Sequence, residues 1–275
     1  MRCGEDRGAT MPLWPIWCSA LRGRTGNLFF LGLVRGPMFP DGPSMSGNLR
    51  CCGLGVLVGV LLSGSLPGEE KQILRYLNEV LLEKEFGGGD GRILRWIESP
   101  EVALVEGSGE HRKVLNRVVG QLNEALEGTS IRLRPVEKSR RARRIEVFMV
   151  PQSRFVAIGR ERAFEPPRHQ DGYVWVIWNT EKKFIQRAIV LVAVDRIEGD
   201  LVQHVLLEEM TQALGPLGDT VVTPESVMYA KGQDHGKALK LSDWDRRMLG
   251  LLYGHLKPGD GGIEVGVAYA RFWGK

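Results

Sequence analysis

Apolar residues recur at helical spacing over residues 71–85, where Ile73, Leu74, Leu77, Val80, Leu81 and Leu82 share one face. The glycine-rich run 87–91 breaks that pattern. Residues 93–105 hold Ile93, Leu94, Trp96 and Ile97, then Val102-Ala103-Leu104-Val105, and predict one or two strands. A second amphipathic helix is predicted over 111–126, with Val114, Leu115, Val118, Val119, Leu122 and Leu126 on its apolar side. Alternation over 131–136 predicts a strand, and 145–150 predicts another that stops at Pro151. Two more are predicted at 173–178 and 185–194, joined by a polar turn at 179–183. The second of these is nearly all apolar, as a strand covered on both faces should be. A helix follows over 200–214, with Gly215 suited to a left-handed cap. Ser242-Asp243-Trp244-Asp245 forms a capping box for a last long helix ending at Gly254. Helices and strands mix without regular βαβ alternation, so the fold class is α+β.

The helix at 200–214 carries the candidate chemistry. Leu201, Val202, Val205, Leu206, Leu207, Met210, Ala213 and Leu214 make it apolar on most of its circumference, so it must be largely buried. His204, Glu208 and Gln212 lie four residues apart and form one narrow polar stripe. Glu209 sits about 100° round from Glu208. Carboxylates on such a helix must face a cleft, be paired, or be protonated, because a buried unpaired charge is expensive. His204 alone reads as a solvent-facing or satisfied half-buried histidine.

Charge adds little. The formal net charge is +4, but residues 1–65 hold six Arg and three acids, leaving 31 basic and 30 acidic residues in the remainder. That balance argues against a general nucleic-acid or membrane-surface role. One local exception, residues 132–144, has seven positive charges and one acid. A phosphate contact and a solvated loop between two strands are both open there, and no aromatic residues interleave as a single-strand binder would want. All four cysteines, Cys3, Cys18, Cys51 and Cys52, lie upstream of residue 53, so no disulfide or thiolate site is available beyond it.

Residues 45–65 read as a secretory signal: a short start with Arg50, an apolar run over 51–62, and the small residues Ser63-Gly64-Ser65. The run is too short to span a bilayer comfortably. Residues 1–44, rich in Gly, Pro and Arg, read as a mis-set start or a disordered leader. The expected organisation is therefore a leader at 1–44, a signal at 45–65 and a single domain at 66–275, secreted or periplasmic and without a stable transmembrane span after cleavage.

Glu208-Glu209-Met210-Thr211-Gln212 resembles the His-Glu-x-x-His helix of a zinc peptidase, with Glu208 and Gln212 where the two imidazoles would stand and Glu209 in the place of the general base. Gly215 falls three residues after Gln212, as the turn glycine of metzincins does. Ser226-Val227-Met228-Tyr229 resembles the metzincin methionine turn, and residues 241–254 resemble the C-terminal helix of that group. A closer resemblance is to the bacterial domain of unknown function 2927 family, whose members show Glu-Glu-x-x-Gln-Ala-Leu-Gly, then Asn-Asp, then Pro-Ser. This chain has residues 208–215 in full agreement, then Gly218-Asp219 and Pro224-Glu225-Ser226. Leu251-Leu252-Tyr253 and Lys257-Pro258-Gly259 add to that resemblance.

The resemblance implies a zincin-like mixed sheet with a central active-site-type helix and a C-terminal helix. It implies no zinc: the five histidines never form a His-x-x-x-His pair, and Glu and Gln make a poor nitrogen site. The expected function is a non-catalytic, peptidase-derived binding or envelope-associated protein, whose partner is a peptide or protein of the cell envelope. The expected site comprises Glu208, Gln212, Asp219 and His204 for binding, Glu209 for any residual catalysis, and Gly215, Met228 and Tyr229 as structural landmarks. The alternative is a hydrolase using Glu208, Glu209 and Gln212, with or without calcium or another hard divalent ion on Glu208, Gln212 and Asp219.

Overall fold

A computed structural model describes residues 68–83, 90–232 and 236–273, all within one unit. The leader, the signal and the four cysteines lie outside the described residues. In chain order the elements are α1 (Gly68–Leu82), β1 (Glu101–Glu106), α2 (Gly109–Ala125), β2 (Arg134–Val136), β3 (Arg144–Val150), α3 (Phe155–Arg162), β4 (Gly172–Trp178), β5 (Ile185–Ala193), α4 (Asp200–Gln212), α5 (Asp243–Gly254) and α6 (Gly262–Ala268). The strands form one five-stranded sheet in the order β2-β1-β3-β5-β4. Neighbours are parallel except β4, which runs antiparallel to β5 at one edge. This is the mixed α+β arrangement that the sequence resemblance implies.

The two faces of the sheet are unequal. Alternation sends Ile145, Val147 and Met149 of β3 and Ala188, Val190 and Val192 of β5 into a large core shared with α1, α2, α4, α5 and α6. The opposite face sends Phe148, Val150, Ile189, Leu191 and Ala193 into a small cluster closed by Phe155 and Ile158 of α3. β5 therefore has a core on each side, which is why its sequence shows almost no alternation. No described helix is long and apolar enough to cross a membrane.

Three local outcomes differ from the sequence pattern. Residues 93–97 join no named strand, and only Arg95 bridges to Phe184. Helices α3 and α6 were not evident in the pattern. α3 is a single short segment with Arg160, Glu161 and Arg162 in its last turns, and α6 carries Gly262 and Gly266, a weak helix former at two of seven positions.

Where α4 ends, the chain turns past the 93–97 segment at very close range. Gly215 has φ +122°, and a Cβ there would lie 2.0 Å from Leu94 O. Gly215→Ala is expected to lower unfolding free energy by about 2–4 kcal/mol, because both backbone strain and a main-chain collision must be relieved. Gly250, inside α5 with open space around it, should behave oppositely, with Gly250→Ala gaining about 0.5–1 kcal/mol. Urea denaturation of the two variants beside the parent measures both signs.

Candidate functional site

Helix α4 packs against β4, β5 and α2. Val205, Leu206, Leu207 and Met210 are buried along it, each worth roughly 1.5–3 kcal/mol relative to exposure. That burial fixes which way its polar side chains point. His204 is 1% exposed. Its Nδ1 lies 2.9 Å from Ala238 O, and a carbonyl only accepts, so Nδ1 donates. Its Nε2 faces Glu208 Oε2 at 3.6 Å, with the Glu208 side chain 16% exposed. One turn on, buried Gln212 donates from Nε2 to Asp219 Oδ1 at 3.5 Å. The stripe is thus arranged as two pairs, His204 with Glu208 and Gln212 with Asp219.

Glu209 points elsewhere, toward the edge strand. A Cβ on Gly172, the first residue of β4, would lie 2.3 Å from Glu209 Oε1 and 2.5 Å from Val205 Cγ1. The carboxylate therefore sits directly against the β4 backbone, and glycine at 172 is what admits it.

The loop after α4 returns to the same end of the helix. Thr220, next to Asp219, donates its N–H to Met228 O at 2.8 Å, and Ala230 N donates to Thr220 O at 3.0 Å. Met228 is fully buried and Tyr229 nearly so. Glu79 of α1 clamps this loop by accepting from Thr220 Oγ1 at 2.6 Å and Val221 N at 3.2 Å. Gly218 passes so close that a Cβ would lie 2.0 Å from Glu79 O. This is a physical reason for glycine where the resembling family has asparagine.

Several residues that hold the site were not singled out in the sequence. Asp245, with no exposed surface, accepts from Tyr76 Oη at 2.7 Å, Ser226 Oγ at 2.6 Å, Val227 N at 3.1 Å and Ser242 N at 2.8 Å. Its capping-box role was legible; its hold on the turn at residues 226–228 and on α1 was not. At the C-terminal end of α4, Trp96 Nε1 donates to Ala213 O at 2.9 Å and Tyr253 Oη donates to Leu214 O at 2.5 Å. Arg95 stacks over the Tyr253 ring at 4.7 Å and donates to Leu252 O at 2.7 Å and to Leu256 O. Burial lowers the Arg95 pKa from its usual value. A buried aromatic with a polar tip, such as Trp96 or Tyr253, needs a partner, and that is the signal that could have found this cage.

The donor set does not fit zinc, since the helical positions offer a carboxylate and an amide rather than imidazoles, and the amide already donates to Asp219. Among the described residues no group of three or more His, Cys, Asp or Glu side chains is arranged to hold a metal ion.

Asp245→Ala should lower stability by about 3–5 kcal/mol, because it strands two buried hydroxyls and two N–H groups. Tyr76→Phe should lower it by only about 1–2 kcal/mol, and the two losses should be strongly non-additive in a double-mutant cycle followed by denaturant unfolding. Burial, and then the Asp245 charge, raises the Tyr76 pKa well above its usual value of 10.0. Burial also raises that of Tyr253. Folding thus favours the protonated phenols. Their contribution is complete below about pH 10 and is lost as pH climbs toward the raised values. Stability against pH should fall more steeply above 10 in the parent than in the Tyr76→Phe, Tyr253→Phe double variant.

No curated protein matches. Two solved structures of myroilysin resemble the fold at TM-scores of 0.37 and 0.36 and identities of 13% and 11%, covering 58% and 64% of this chain and 95% and 91% of theirs. A hatching enzyme zinc-protease from the medaka fish Oryzias latipes does so at 0.34 and 13%, covering 64% of this chain and 94% of its own. These likenesses are too slight to bear on the site. The model for proteins of unknown function DUF2927 matches residues 70–265, from α1 through α6, and the chain belongs to that family.

Proposed function

We propose that this chain is an exported binding protein built on a metallopeptidase-type framework whose zinc site has degenerated, and that an extended peptide of the cell envelope is its ligand. One observation carries the reading. α4 lies beneath the antiparallel edge strand, with Glu209 against Gly172, while the positions that would ligate zinc are occupied by Glu208 and Gln212 and engaged with His204 and Asp219. A framework for substrate is kept, and its metal-binding side chains are committed to holding the protein together. The pairing of Gln212 with Asp219, and of Glu208 with a different partner, also speaks against all three sharing one calcium ion, which wants six or more oxygen ligands.

The edge of β4 away from β5 is the surface offered to the ligand. An extended segment adds to such an edge through main-chain hydrogen bonds, and alternate side chains provide selectivity. Partly buried Val174, Trp175 and Trp178 flank it, and aromatic side chains supply contact area at low entropic loss.

Two measurements test this reading. Metal analysis of purified protein should find no stoichiometric zinc; one zinc per chain overturns the degenerate-site account. Screening extended peptides should find ligands that slow amide hydrogen exchange across β4 without being cleaved. Chelator-sensitive cleavage abolished by Glu209→Gln would make the protein a peptidase instead.

A further inference from the structure

We propose that Arg144, Arg162 and Arg187 form a binding site for a phosphate-bearing ligand on the face of the sheet opposite α4. Arg144 and Arg187 are direct partners in the register of β3 and β5. Alternation places them on the same face as Phe148 and Ile189. Arg162, the last residue of α3, lies over the Phe148 ring at 5.6 Å and completes the group from above. Like charges directly opposite on neighbouring strands are unfavourable unless something neutralises them.

Glu101, the register partner of Arg144 on β1, spends its carboxylate on Arg141 Nε at 2.9 Å and Ser139 Oγ at 2.8 Å, so the protein supplies only part of that neutralisation. Glu146, 7% exposed, is gripped through Oε2 by Arg187, from Nε at 2.6 Å and from its terminal nitrogen as well. Its other oxygen faces Arg144 Nε and Arg162 Nη2, each at 3.6 Å, within ion-pair reach but beyond a hydrogen bond. One carboxylate cannot occupy the donor forks of three guanidinium groups. Arg144 spends one nitrogen on Arg141 O at 2.8 Å. Arg162 Nε is buried with no hydrogen-bond partner among the described residues. Glu161 lies 3.6 Å from Arg162 but is 56% exposed, where water weakens its hold.

The three arginine side chains are 22–24% exposed, so a ligand can reach them while bulk water hydrates them poorly. A tetrahedral oxyanion suits this geometry. Its several oxygens can accept from Arg144 and Arg162 together, while Arg187 stays on Glu146 and screens that carboxylate from the ligand. Lys138 and Arg140 are exposed in the basic segment that leads into β3. The site lies across the sheet from α4 and does not depend on the function proposed there.

Thermal unfolding in sodium phosphate against sodium chloride at matched ionic strength tests the proposal, with circular dichroism confirming that each variant is folded. The parent should melt higher in phosphate, since a ligand that binds only the folded state stabilises it. Arg162→Gln and Arg144→Gln should each weaken phosphate binding by about tenfold or more, the loss expected for a charge-assisted hydrogen bond. Arg162→Lys should recover little, because an ammonium lacks the fork, and Arg75→Gln, on the outside of α1, should leave the increment intact. A phosphate increment absent from the parent, or equal in parent and Arg162→Gln, overturns the site; a purely structural cluster would lower melting equally in both salts. Co-sedimentation with phosphatidylcholine vesicles, with and without phosphatidylglycerol, distinguishes the sources. Arginine-dependent pelleting only with phosphatidylglycerol assigns a lipid headgroup, and a phosphate increment without pelleting assigns a soluble phosphate compound.

Discussion

A carboxylate sealed from water, Asp245, governs the arrangement around α4. Leaving such a group unpaired would cost several kcal/mol, so the chain must bring four donors to it at once. They come from three places: Tyr76 on α1, Ser226 and Val227 in the turn before Met228, and Ser242 at the start of α5. The same contact that caps α5 therefore sets the height of the Met228 turn against α1. From there the constraint spreads. The turn bridges to Thr220, Thr220 is clamped by Glu79 of the same α1, and Asp219 beside it is the acceptor for Gln212.

The other end of this framework is the 95–96 segment. Trp96 and Tyr253 take the carbonyls at the C-terminal end of α4, and Arg95 takes those at the end of α5. A helix end leaves its last four carbonyls without partners, and here Trp96 and Arg95 serve the ends of two helices from one short stretch, with Tyr253 of α5 adding a second contact at the end of α4. The stretch contributes only the Arg95 bridge to pairing beyond the named strands. Its apolar run suggested strand, yet its side chains are needed as caps and its backbone runs against the turn at Gly215.

What was legible in the sequence follows from the range of the interactions involved. Periodicity and caps are local, so α1, α2, α4 and α5 and the strands β3, β4 and β5 could be placed from spacing alone. The stripe of His204, Glu208 and Gln212 could be placed for the same reason, as could the separate direction of Glu209. Partners far along the chain could not. Nothing near Asp245 announces Tyr76, 169 residues away, and nothing near Gly172 announces that a carboxylate from α4 will rest against it. The basic segment at 132–144 was visible as charge, but Arg162 and Arg187, which join Arg144 at Glu146, come from elements brought alongside only by the sheet.

The proposed loss of a zinc site raises a physical question, since a bound metal contributes folding free energy where its ligands converge. Removing imidazoles from a buried helix would ordinarily leave polar groups without partners and a framework without its tie. Here each replacement has a polar neighbour close by: Glu208 lies within ion-pair reach of His204 one turn earlier, and Gln212 donates to Asp219 in the following loop. The tie itself is supplied elsewhere, by Asp245 at the Met228 turn and by Trp96 and Tyr253 at the end of α4. Because these contacts touch none of the ligand positions, the framework can hold α4 beneath β4 whatever stands at 208 and 212. On this reading the fold does not need the metal, because α4 is held against the edge strand β4 by contacts that lie outside positions 208 and 212.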